Sequence, residues 1–235
     1  MNPFKPFTTT EYFFRPRQIL IRLSRAFSWP PPEFARVTLP WGDPLTIRPA
    51  EVIGASIWFY GVFDLTVAEG IGRLLDPGEL ALDIGANIGQ MTTLMRRRAG
   101  PAGRVIAFEP HPEIFAELAA NVPVDTTDPQ LAPAALHQVA LSDADGEAFL
   151  AAGEQWSVNR GVAKVVTEAA APANRRWKIK RTTLDQMLPG AAKVGLCKID
   201  VEGHELKVFQ GAARLLRERR VRDIIFEDLG TFPSP

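Results

Sequence analysis

The chain has 235 residues, 46% of them hydrophobic, enough to close one substantial core with a small appendage. Its 27 basic and 27 acidic residues cancel to a formal net charge of zero, which removes the bulk electrostatic case for nucleic-acid binding. A single cysteine, Cys197, excludes an internal disulfide, and no apolar run is long enough to span a bilayer. Cys197 lies beside Leu196 and Ile199 and reads as a core thiol. With no secretory apolar segment at the N-terminus, the cytoplasm is the expected compartment.

Residues 1–32 stand apart as an N-terminal arm, and residues 33–235 read as the main domain. Residues 12–27 (YFFRPRQILIRLSRAF) place Ile19, Leu20, Leu23, Ala26 and Phe27 at helical spacing among Arg15, Arg17, Arg22 and Arg25, with Pro16 at the start. Such a helix either lies on an anionic membrane surface or packs on the domain or a second subunit. Packing is favoured, because amphipathic helices usually bury their apolar face in protein. Residues 35–39 and 45–48 flank Trp41-Gly42-Asp43-Pro44 and predict a hairpin. The aromatic-rich residues 53–67 lead into a helix ending near Leu75.

The pattern then becomes regular. Leu80, Ala81, Leu82 and Ile84 form a short apolar strand around Asp83, followed by the glycine turn Gly85 to Gly89 and a helix over about 90–98. A second strand over 104–108 ends at Glu109, and a helix over 112–121 follows a Pro-His-Pro turn. Residues 136–141 predict a third strand that exits at Ser142-Asp143. Residues 147–151, 161–166 and 177–181 are short strand candidates in a less regular stretch, with a surface loop over 169–174. A short helix over 182–188 is capped at or near Thr183. A strand over 194–199 ends at Asp200, an amphipathic helix spans 203–219, and a strand over 221–226 ends at Glu227 and Asp228.

Strands alternating with helices predict a doubly wound, mostly parallel α/β sheet, whose ligands bind at the carboxyl ends of the strands. Asp83, Glu109, Asp200 and Glu227 all fall at such ends. Glu109 lies about 20 residues beyond Gly89, where one carboxylate can grip two ribose hydroxyls. A nucleoside cofactor is the first expectation. A dinucleotide fingerprint fails, since Asn87 and Gln90 occupy its later glycine positions. An acid two residues before the first glycine instead resembles the loop of S-adenosylmethionine-dependent methyltransferases.

Four stretches narrow the resemblance: Leu82 to Gly89 (LDIGANIG), Phe108-Glu109-Pro110, Val139 to Asp143 (VALSD) and Lys198 to Glu205 (KIDVEGHE). With Thr183-Leu184-Asp185 and Gly211, they resemble the FkbM family of methyltransferases over about residues 60–227. The resemblance implies a class I methyltransferase fold, Rossmann-like, with S-adenosylmethionine as cofactor. It also implies methylation of a hydroxyl on a sugar, glycolipid or polyketide-like small molecule. Carried over by position, Asp83, Gly85, Ala86, Asn87 and Gly89 hold the methionine end, Glu109 takes the ribose, and Ala140, Ser142 and Asp143 lie near the adenine. Asp200, Glu202 and His204 sit where methyl donor and acceptor meet. The chain departs from the family pattern in two places. Gly61-Val62-Phe63-Asp64 stands where the family shows Gly-x-Tyr-Glu, so no role is carried to Asp64. The C-terminus reads as shortened, only residues 229–235 following the last strand where the fold adds a helix and a hairpin. Either the chain is a shortened product, or the hairpin's place is filled by another subunit or left open, and an uncovered edge strand there would favour a homo-oligomer.

The reaction needs positioning and removal of a proton from a weakly acidic hydroxyl. The ordinary histidine pKa of about 6.5 makes the His204 imidazole the better chemical match near neutral pH. The resemblance points instead to a carboxylate, and the acids are the expected base, with Asp200 nearest the cofactor, Glu202 nearest the acceptor and His204 shaping the pocket. Glu202 and Glu205 also suit the start of the following helix. A magnesium site built from Asp200, Glu227 and Asp228 is not favoured, and no metal is expected. The competing readings are an NAD-dependent oxidoreductase, disfavoured by the glycine spacing, and a non-catalytic cofactor-binding or scaffolding protein.

Overall fold

The computed structural model describes residues 25, 30–125, 128–152, 156, 160, 163–166, 176–188 and 190–228. The predicted arm helix, the loop over 169–174 and residues 229–235 lie outside this set, Arg25 excepted. The chain divides into two compact units, Met1–Phe63 and Asp64–Pro235. In the first, β1 (Ala35–Thr38) and β2 (Pro44–Ile47) pair antiparallel as the predicted hairpin, and α1 (Val52–Tyr60) follows. Arg25 lies over the Trp58 ring, 4.3 Å from its centroid, and its guanidinium donates to the Trp58 carbonyl.

In the second unit, α2 (Leu65–Leu74) opens with Asp64, whose carboxylate accepts from the Val67 N–H at 2.9 Å. Asp64 therefore breaks what reads as one apolar run, and α2 is a separate helix with its own cap. Five parallel strands make the central sheet in the order β11 (Val221–Phe226), β10 (Val194–Ile199), β3 (Leu80–Ile84), β4 (Arg104–Phe108), β5 (Ala134–His137). Both faces are covered, as an all-parallel sheet requires. Leu82, Ile84, Ile106, Phe108, Cys197 and Ile199 face a core closed by α5 (Leu184–Met187), α6 (Glu205–Gly211) and α7 (Ala213–Arg217). The opposite face carries α2, α3 (Gln90–Ala99) and α4 (Pro112–Asn121), with Ala107 against Leu118 and Val122. The fold is the expected doubly wound α/β sheet.

Three short strands and a bridge strand build a second sheet, ordered β6 (Ala140–Leu141), β9 (Arg176–Thr182), β7 (Gly146–Ala151), β8 (Lys164–Val166). The single strand expected over 136–141 is two: β5 ends at His137, and after a tight turn (Val139 N–H to His137 O, 3.0 Å) the chain changes sheets. The single helix expected over 203–219 is likewise two. The Asp185 carboxylate accepts from the Arg214 and Leu215 N–H groups at 2.8 and 3.0 Å, giving α7 its own start. Among the described residues no single helix is long and apolar enough to cross a membrane.

Candidate active site

At the carboxyl end of β3 the chain turns through Gly85 at φ +77°, and a Cβ there would lie 1.9 Å from the Asp200 carbonyl oxygen. Only glycine lets this loop press against the end of β10. Lys198 locks the contact from below. Its ammonium, 5% exposed, donates to the Gly85 carbonyl at 2.7 Å and lies 3.1 Å from Asp83 and 3.5 Å from Asp200. Burial opposes its charge, but the two carboxylates outweigh it and hold the pKa above the usual lysine value. Asp83 is fully buried and accepts from the Thr92 hydroxyl at 2.6 Å.

Glu109 closes the next strand. One carboxylate oxygen accepts from the Asn87 N–H at 3.0 Å, the other from the His111 N–H at 2.9 Å. Burial pushes its pKa up to about 7, against the pull of those two N–H groups and of Lys198. Asn87 is itself at φ +50°, its side chain accepting from the Ile88 N–H. His111 caps α4 through Nδ1 and stands beside Trp156 and Trp177, with centroids 4.6 and 4.2 Å away. Burial, with the Arg160 charge, lowers its pKa to about 4, so the ring is neutral.

After β10 the chain makes a tight loop in which Glu202 takes φ +54° and Gly203 φ +91°. The loop is braced by buried Glu205, whose carboxylate accepts from the Val201 and Gly203 N–H groups at 3.3 and 3.1 Å. A non-glycine residue held at positive φ is strain that the surroundings must enforce, and such residues gather at functional sites. His204 donates or accepts through Nε2 to the Ser142 hydroxyl at 3.0 Å, and burial lowers its pKa from the usual value.

These elements surround a pocket at the carboxyl ends of β3, β4 and β10, the usual place for a ligand in such a sheet. Gly85, Asn87, Glu109, Ala140, Asp200, Glu202 and His204 all line it, so seven of the expected site residues converge. Leu150 and Val165 of the second sheet form an opposing apolar wall. Asp83, Ala86, Gly89, Ser142 and Asp143 lie outside the lining: Asp83 and Ser142 are fully buried behind it, and Gly89 opens α3 against Leu118 and Val122. Among the described residues no group of three or more His, Cys, Asp or Glu side chains is placed to hold a metal ion, so Asp200, Glu227 and Asp228 are not assembled into one.

Lys198, Glu205 and His111 carry structural roles at the site that the sequence reading gave to no residue. Lys198 had a legible signal: a lone cation inside the apolar run of β10 must be paired or it costs several kcal/mol. His111 had half of one: its cap on α4 is local to the Pro-His-Pro turn, but its tryptophan neighbours come from the tertiary fold.

The chain is similar to several known proteins. It is 34% identical over 129 residues to the AMB antimetabolite synthetase AmbE of Pseudomonas aeruginosa, a match covering 55% of this chain and 6% of that protein. It is 28% identical over 168 residues to the hexuronic acid methyltransferase AglP of Haloferax volcanii, covering 69% of this chain and 62% of that one. The chain thus spans less than two thirds of either relative. A crystal structure of methyltransferase FkbM from Methylobacillus flagellatus aligns at a TM-score of 0.41 and 16% identity, over 67% of this chain and 39% of its own. Residues 83–233 match the methyltransferase FkbM domain, and they include every residue of the pocket. By that match, the chain belongs to the FkbM methyltransferase family.

Proposed function

We propose that the chain is an S-adenosylmethionine-dependent O-methyltransferase acting on a hydroxyl of a small molecule, with a sugar as the first class to test. The observation that carries this reading is the pocket that Gly85, Asn87 and Glu109 line together with Asp200, Glu202 and His204. The donor set suits the cofactor: a buried carboxylate, Glu109, able to accept from ribose hydroxyls, a turn that lines the pocket through Gly85 and Asn87, and the acids Asp200 and Glu202 lining it as well. S-adenosylmethionine, when bound, supplies a methyl group on a positively charged sulfur already activated for displacement.

The chain's own work is then positioning and proton transfer. Glu109 and Asn87 fix one end of the ligand, and Gly85, with no side chain, lets their loop press against the end of β10. Lys198 acts through Asp83, Asp200 and the Gly85 carbonyl, keeping the two strand ends in register. Leu150 and Val165 exclude water from the acceptor side, which strengthens every polar contact inside. Asp200, Glu202 and His204 are the groups positioned to take the hydroxyl proton. A sugar acceptor is supported by AglP, whose described activity is on a hexuronic acid. The acceptor envisaged is a free small molecule and not a nucleic acid, in keeping with the zero formal charge. We place this work in the cytoplasm, where Cys197, buried and pushed up to about 12, stays a thiol.

The test is a screen with methyl-labelled S-adenosylmethionine against hexuronic acids, neutral sugars, glycolipids and polyketide-like alcohols. A labelled methyl ether on at least one sugar is expected. Label transferred only to a non-hydroxyl group, or hydride transfer with NAD, would contradict the reading.

A further inference from the structure

We propose that Ser142 and Asp143 are positioning residues that pin the His204 ring by its Nε2–H and leave Nδ1 open to the pocket, making His204 the proton acceptor of the reaction. This rests on the methyl-transfer reading and names the base within it. The Ser142 hydroxyl has one proton, and Asp143, 3.1 Å from it, is a carboxylate that can only accept. The Ser142 proton therefore goes to Asp143, and the 3.0 Å contact with His204 must be donated by the imidazole. Asp143 is kept ionised by Lys207 at 2.5 Å and Arg181 at 3.5 Å, and the Lys207 hydrogen bond holds its pKa below the usual carboxylate value. The direction of the chain is fixed from its charged end.

The other ring nitrogen is unused. His204 precedes α6 without capping it by its side chain, and no hydrogen bond of Nδ1 exists among the described residues. His204 lines the pocket together with Ala140, Asp200 and Glu202. Four charged groups face it: Asp143 after β6, Arg181 on β9, and Glu205 and Lys207 on α6. Burial is the largest influence and lowers its pKa, so the ring is neutral with its lone pair available at neutral pH. Asp200 is already engaged, its carboxylate lying 3.5 Å from the Lys198 ammonium. In the step, the acceptor oxygen forms a bond to the methyl carbon while the carbon–sulfur bond breaks with its electrons left on sulfur. The hydroxyl proton passes to Nδ1. The resulting imidazolium is stabilised through Ser142 by the Asp143 charge, the logic of a base held by an orienting partner.

The test is a proton–nitrogen NMR titration of the three histidine rings in the full chain without ligand, with His204→Gln giving the assignment. A protonated Nε2 and a bare Nδ1 on His204 at neutral pH are expected. In Ser142→Ala the slowly exchanging Nε2–H signal should be lost. In Asp143→Asn the His204 pKa should fall further, because the charge that favours the imidazolium is gone, while His111 and His137 keep theirs. A proton on Nδ1, or His204 signals unchanged in both variants, overturns the proposal. With an acceptor from the labelled-methyl screen, His204→Gln should lose about a hundredfold or more in turnover and Glu202→Gln much less; the reverse ranking also overturns it. Wild-type ring signals as expected in a chain that binds no S-adenosylhomocysteine would sink the methyl-transfer reading and leave the positioning network intact.

Discussion

Glu109 is the residue whose ionisation matters most to the site. Its pKa in the folded chain is about 7 against 4.5 when unperturbed, with burial as the main cause. The native state therefore binds an extra proton between those values, and stability falls as pH rises through that window. The shift corresponds to about 3 kcal/mol once both states are ionised. Glu109→Gln removes this dependence, so its stability relative to wild type should improve steadily from about pH 5 to about pH 8 in urea unfolding; parallel profiles would contradict the assignment. Lys198 makes the opposite kind of contribution. Lys198→Met leaves Asp83 fully buried with only the Thr92 hydroxyl beside it, and should cost about 3–5 kcal/mol. Adding Asp83→Asn should recover part of that loss, because no uncompensated charge then remains. Strictly additive losses would mean the two side chains are not coupled.

Among the elements, those set by local pattern were legible in the sequence and those set by distant partners were not. β3, β4, β10 and β11 read correctly because each is a short apolar run with a turn on either side, and α4 and α5 carry their caps in their own sequence at His111-Pro112 and Thr183. The break between α6 and α7 was invisible, since it is made by Asp185 reaching across from α5. Asp185→Ala should accordingly cost about 1–2 kcal/mol, the scale of a lost helix cap, measured by chemical unfolding; a loss within error would show that α7 starts there for another reason. Sheet membership was equally hidden. A strand over 136–141 satisfies the apolar pattern whether it is one element or two, and only pairing separates β5 from β6. At the site, the seven lining residues were readable because they sit at strand ends. Ser142 and Asp143 were placed beside the cofactor, for their backing of His204 depends on α6 meeting β6. Gly211 marks that meeting, since a Cβ on it would lie 1.9 Å from the Ser142 carbonyl.

At the scale of the molecule, every residue of the pocket belongs to the unit Asp64–Pro235, between the parallel sheet and the small sheet that β6 begins. The strand ends supply the polar groups and the second sheet supplies the apolar wall, so all the described lining of the pocket lies within one unit. A chain beginning at Glu33 should therefore bind S-adenosylhomocysteine as tightly as the full chain; folded protein without binding would make the arm part of the site. The most direct test of the central claim is calorimetric titration of S-adenosylmethionine, S-adenosylhomocysteine and NAD into the full chain and into Glu109→Ala. Both sulfur nucleosides should bind and NAD should not, and Glu109→Ala should weaken binding by about 1.5–3 kcal/mol, the scale of a hydrogen bond to a charged group. Tight NAD binding with neither sulfur nucleoside bound, or affinity unchanged in Glu109→Ala, would contradict it.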